Sequence, residues 1–192
     1  HVTTLGKRDL ILHIDGKTKE RETVPDLWLC AAPIKKDRFY WIAEKATELG
    51  VDKLLPVQTE RTQKIQYKTE KLWLHMIEAA EQCERTALPS VDEPTKLTDM
   101  LKDWPTDRHL FFADERLHES GEGNFRKALV AHDGPAAIII GPEGGFSDSE
   151  NALIRDLPQS VPISLGPRIL RADTAAIAAI SVWMAGRGDW TV

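Results

Sequence analysis

Cysteine is nearly absent: Cys30 and Cys83 are the two in 192 residues. Two thiols are too few for a disulfide framework, and they lack the paired spacing of a metal site. Both are expected to be buried in a reducing cytosol. No apolar run approaches the roughly 20 residues with which a helix crosses a bilayer, and no secretory leader is recognisable. The chain opens on His1 rather than an initiator, so a truncated or processed N-terminus and a cytoplasmic location are expected. The histidines at 1, 13, 75, 109, 118 and 132 are scattered without metal-like pairing, and no metal is expected. No Ser-His-Asp or Cys-His order stands out either. Positive charge is not in excess, since 25 Lys+Arg face 30 Asp+Glu for a net charge of −5.

That sign argues mildly against a nucleic-acid partner, but affinity follows the local basic footprint rather than the total. Residues 1–72 carry 14 Lys+Arg against 11 Asp+Glu, whereas 73–192 carry 11 against 19. Lys35, Lys36, Arg38, Arg61, Lys64, Lys68 and Lys71 form the candidate footprint; the plain alternative is the solvated faces of ordinary helices. With 42% hydrophobic and 29% charged residues, the composition is that of a soluble globular protein of one domain, or one domain with a small appendage.

Residues 1–26 differ from the rest. The stretch 9–16 reads as a strand ending in Asp15-Gly16, a hairpin signal, with 17–24 returning as its partner. Such a pair is not a stable domain alone, so it reads as the remnant of a small β-domain. From Leu27 the pattern alternates. Strands are predicted at 27–32, 53–57, 109–112, 136–140 and 161–165. Helices are predicted at 37–49, 68–86, near 124–131, at 148–157 and from about 173 to 185, with a short one at 95–101. Strands separated by helices of this length predict an α/β domain over 27–192, a parallel sheet with helices on both faces.

The informative stretch is Ala136 to Ser147, where an apolar strand runs into Gly141-Pro142-Glu143-Gly144-Gly145-Phe146. In open α/β sheets ligands bind at the C-terminal ends of strands. The loop is neither G-x-G-x-x-G nor a P-loop, and it holds no lysine. Glu143 amid bare backbone suits a ligand with donor groups, such as a hydroxyl, an amine or a sulfonium. A second loop, 165–174, brings Arg168 and Arg171 close to Asp173 and Thr174. Guanidinium forks suit a phosphate or a base edge. The plain alternative pairs Arg171 with Asp173, with Asp173 or Thr174 capping the alanine-rich helix. Glu78, Gln82 and Arg85 fall at i, i+4 and i+7 as a polar stripe, either an interaction surface or a solvated face.

These residues resemble a known family. GPEGGF at 141–146 and LGPRILRADTA at 165–175 are similar to the two signature loops of the RsmE family of the SPOUT methyltransferase superfamily. Lys36, EKATELGV at 44–51, PVQTERT at 56–62 and EAAEQCERTALP at 78–89 also match, in order, over about 27–186. The resemblance implies methyl transfer from S-adenosylmethionine to N3 of one uridine in bacterial small-subunit (16S) ribosomal RNA. It further implies a C-terminal trefoil knot, a homodimer and an N-terminal PUA-like β-barrel, of which 1–26 would be a part. By the same resemblance Ile139, Ile140, Gly141, Pro142, Glu143, Gly144, Gly145, Leu165, Gly166, Ile169 and Leu170 hold the cofactor. Arg171, Arg168 and Asp173 serve catalysis, and Lys36, Arg61, Gln82 and Arg85 meet RNA. The family usually has Glu where Asp173 stands. A ribose 2′-hydroxyl of another RNA, or an RNA-binding module without activity, are the alternatives. Gly144→Val is expected to fill the cofactor's space.

Overall fold

The computed structural model describes residues 1–63, 67–118 and 122–190. A hairpin comes first, β1 (Val2–Leu5) antiparallel to β2 (Leu10–Leu12). The α/β part then runs β3 (Leu27–Ala31), α1 (Lys36–Glu48), β4 (Lys53–Gln58), α2 (Thr69–Gln82), β5 (Ser90–Val91), β6 (Thr95–Lys96) and α3 (Leu97–Lys102). It continues with β7 (His109–Ala113), a 3-10 turn (Glu115–Leu117), α4 (Phe125–Ala131), β8 (Ala136–Ile140), α5 (Asp148–Asp156), β9 (Ser160–Ile163) and α6 (Ala172–Arg187).

The sheet order is β5-β4-β3-β8-β7-β9, with β6 also on β4, and every pairing in it is parallel. The predicted α/β architecture therefore holds. Side chains alternate across the sheet, so Leu27, Leu29, Ile138 and Ile140 join α1, α2, α4 and α6 in one core. Cys30, Leu110, Phe112 and Ile139 face α3 and α5 in the other. Both faces are covered, which is why the central strands read as unbroken apolar runs. In register, Ala31 lies beside Ile140 and Ala113 beside Ile163, so these strands finish along one edge.

Three local expectations change. The partner of Leu10–Leu12 precedes it, closed by Gly6 N–H donating to Asp9 O at 2.9 Å. Residues 17–24 are not a strand; the Glu22 carboxylate instead accepts from the Thr86 and Ala87 N–H groups at 2.7 and 3.0 Å. Helix α2 stops at Gln82 rather than 86, because Glu84 turns to a left-handed φ of 60°. That early stop leaves Cys83 exposed, contrary to the burial expected of both cysteines, while Cys30 is fully buried and its thiol is pushed up to about 12 by desolvation. Alkylation of the native protein at pH 8 followed by peptide mass spectrometry is expected to label Cys83 and spare Cys30, because the thiolate is the reactive form.

Candidate functional site

The edge formed by the C-terminal ends of β7, β8 and β9 carries a small recess of about 80 Å³ that opens to solvent. Ile140 and Gly141 enter from β8, Leu165 to Gly166 and Arg168 to Leu170 from the loop after β9, and Ala172 and Ala175 from the first turn of α6. The two loops singled out in the sequence thus share one cavity. Beside them stands a third segment that sequence reasoning passed over, with Asp114, Glu115 and His118. Its signal was available, since the polar run Asp114-Glu115-Arg116 follows the apolar strand β7 just as GPEGG follows β8.

Local interactions explain each loop. Gly141 has no room for a side chain, because a Cβ would stand 2.9 Å from the Phe146 ring. Phe146 is itself buried edge-on against Phe112 at 5.5 Å. Gly145 takes a φ of 65°, with its N–H donating to Pro142 O at 2.8 Å, and the Glu115 carboxylate lies over its backbone. Helix α5 begins at once: Ser147 caps it in a reciprocal box with Glu150. The other Glu150 oxygen accepts from Glu60 N–H at 2.7 Å, and Arg61 donates to Gly144 O at 2.8 Å. The PVQTERT segment is therefore clamped onto the glycine loop from the far side.

Ile140, Gly141, Leu165, Gly166, Ile169 and Leu170 line the recess, and so does Arg168. Ile139 does not; alternation turns it into the opposite core. Pro142, Glu143, Gly144 and Gly145 shape the turn without lining the recess. A Cβ on Gly144 would meet only the Arg61 side chain, at an ordinary 3.5 Å, so the space expected there for a ligand is elsewhere. Asp114 is a structural anchor, 3% exposed, accepting from Arg116 N–H at 3.0 Å and paired with Arg155.

The charged candidates separate. Arg171 is exposed at the N-cap of α6 and gives it no side-chain cap, and neither Arg171 nor Arg168 has a side-chain partner among the described residues. Asp173 is not the N-cap and does not pair with Arg171; its carboxylate accepts from Arg38 of α1 at 2.8 Å and from Thr174 N–H at 2.9 Å. Lys36 is exposed in the first turn of α1, and Gln82 is exposed at the end of α2. Arg85 falls away as an RNA contact. Its side chain is 5% exposed and donates to Thr47 O and Val51 O at 2.6 and 2.7 Å, since the short α2 turns it inward. Lys64 lies outside the described residues.

An RNA methyltransferase domain model matches residues 20–184. Ribosomal RNA small subunit methyltransferase E of Rickettsia conorii is 34% identical over 181 residues, 94% of this chain and 72% of the relative. The chain belongs to the RsmE family. The Neisseria gonorrhoeae member, solved bound to S-adenosylmethionine, is 27% identical with a TM-score of 0.74 over 98% of this chain and 78% of that one. A Legionella pneumophila protein solved with the same cofactor bound is 32% identical, with a TM-score of 0.84 over 98% and 78%.

The recess of this RsmE-family chain carries a donor set that can be matched to that cofactor group by group. Ile140, Leu165, Ile169 and Leu170 offer apolar walls, Gly166 leaves open space over its backbone, and the Glu115 carboxylate has no side-chain partner among the described residues. Apolar walls suit a purine ring, and a carboxylate suits hydroxyl, ammonium or sulfonium groups. The residues present fit the group.

Proposed function

We propose that this chain transfers a methyl group from S-adenosylmethionine to N3 of a uridine in 16S ribosomal RNA. The observation that carries this is the recess at the ends of β7, β8 and β9, edged by two arginines whose side chains have no partner among the described residues. Ile140, Gly141, Leu165, Gly166, Ile169 and Leu170 would hold the cofactor. When bound, that group supplies a methyl already activated by the positive charge on sulfur.

The protein's share is positioning, charge and exclusion of water. As the methyl passes from sulfur to N3 and S-adenosylhomocysteine is released, uracil N3–H gives its proton to a base or a water, and negative charge develops on O2 and O4 on the way. A free guanidinium is suited to that charge, and Arg171 is the first choice, with Arg168 on the recess wall next. Asp173 takes a different role from the catalytic one expected, because both its oxygens are already accepting hydrogen bonds. N3 lies on the pairing edge, so the target base must be unpaired or flipped out. Lys36 and Arg61 are the neighbouring cations suited to the RNA backbone. We further propose that the segments around the recess are threaded as a trefoil knot and that 1–26 belong to a PUA-like barrel. A homodimer in the cytoplasm, acting on RNA within the small subunit, completes the proposal.

Nucleoside mass spectrometry of ribosomal RNA from cells lacking the gene tests the assignment. Loss of N3-methyluridine from 16S RNA is expected, and an unchanged level rejects it. Loss of a ribose-methylated nucleoside instead would transfer the activity to the 2′-hydroxyl. Calorimetry with S-adenosylhomocysteine tests the cofactor separately. Gly144→Val is expected to leave that affinity within about twofold, as for a substitution clear of the recess; a loss beyond tenfold would return Gly144 to the cofactor wall.

A further inference from the structure

We propose that Arg38 contacts an RNA phosphate, and that Asp173 is the residue that positions it. The proposal rests on the RNA substrate above. Asp173 sits in the first turn of α6, between Ala172 and Ala175 of the recess wall and two residues after Arg171. It is 9% exposed, and its Oδ2 holds Arg38 Nη1 at 2.8 Å across the α1–α6 contact. Arg38 therefore stands at the same edge as the recess, although it lies 135 residues away in the chain.

Other arginines of the molecule show what a purely structural one looks like. Arg85 is 5% exposed and spends its guanidinium on two backbone carbonyls. Arg108 is 8% exposed and donates to Asp26 O, Ala136 O and the Asp26 carboxylate. Arg38 is 40% exposed, and one N–H donor has an acceptor among the described residues. Its remaining donors stay available in a fork whose direction the carboxylate sets. Lys35 and Lys36 stand exposed in the same turn. A phosphate is the ligand this suits, because a guanidinium matches two phosphate oxygens at once. Asp173 adds no net attraction, since it cancels the charge it holds; its contribution is orientation. Orientation matters because a misplacement of about 1 Å can cost a hundredfold in rate.

The test compares wild type with Arg38→Gln, Arg38→Lys, Asp173→Asn and Asp173→Glu. RNA affinity is measured across salt on a 16S fragment, cofactor affinity by calorimetry, and single-turnover rates at saturating RNA and cofactor. Arg38→Gln is expected to reduce the slope of log affinity against log salt by about 0.7, the loss of one single-strand phosphate contact. Arg38→Lys restores the slope. Asp173→Asn is expected to keep RNA and cofactor affinity within about threefold while the rate falls roughly tenfold, and Asp173→Glu recovers most of the rate. An unchanged slope in Arg38→Gln, with wild type binding in a salt-dependent manner, overturns the phosphate contact. An unchanged rate in Asp173→Asn, or a rate loss matched by lost cofactor affinity, overturns the positioning role. Wild type that fails to bind the fragment defeats the RNA substrate itself, which is a different result.

Discussion

Gly141→Val is expected to reduce affinity for S-adenosylmethionine at least a hundredfold. Gly141 is where the β8 backbone becomes the recess wall, and its missing side chain is occupied by the Phe146 ring at 2.9 Å from any Cβ. A valine must displace either that ring, which is locked edge-on to Phe112, or the wall itself. Overpacking of this kind costs about 1–3 kcal/mol of stability, so the melting temperature falls as well. Calorimetry at a temperature where the variant remains folded separates the two effects. Affinity within threefold of wild type would show that Gly141 is not part of the cofactor wall. Gly144→Val, three residues on, is the matched control, since its Cβ meets only Arg61 at 3.5 Å.

Arg171→Ala is expected to slow methyl transfer by roughly a hundred- to a thousandfold, the usual loss when a donor to developing negative charge is removed. Cofactor affinity and melting temperature should scarcely move. The side chain is exposed and unpartnered among the described residues, and such surface changes typically stay within ~0.5 kcal/mol. Single-turnover kinetics with the cofactor saturating reads the rate, and calorimetry reads the affinity. If affinity falls and the rate at saturation does not, Arg171 belongs to the cofactor site. Arg171→Lys should recover only part of the rate, because an ammonium keeps the charge without the planar fork.

Much of this was legible in the residues. The alternation of apolar runs with amphipathic segments located β3, β4, β7 and β8 to within a residue or two, because both sheet faces are covered and the runs are unbroken. The two glycine loops announced a shared cavity, and β8 and the loop after β9 build it. The sheet order was not legible. It is set by which strand lies beside which, and it brings Asp114 and Glu115 after β7 to the recess. Side-chain direction was lost too: Ile139 and Ile140 are adjacent in sequence yet face opposite cores. The inward turn of Arg85 depends on Glu84 ending α2 early, which no helical periodicity reveals. The Arg38–Asp173 pair joins the first and last long helices, a contact that spacing along the chain cannot show.

The place of β3 in the sheet bears on how the molecule is made. Strand β3 pairs with β4 on one side and, on the other, with β8 more than a hundred residues later. A ribosome delivers the chain from its N-terminus, so the β3–β4 flank exists with an open, apolar edge until β8 arrives. The recess draws all its lining from residues 113–175, so no part of it exists until the second half of the chain has been delivered. A ligand for the recess therefore binds the completed fold and not its early half, and mass action stabilises the completed fold. In hydrogen exchange, amides of β8 and β9 should gain the most protection when the cofactor is added, with the β1–β2 hairpin unchanged.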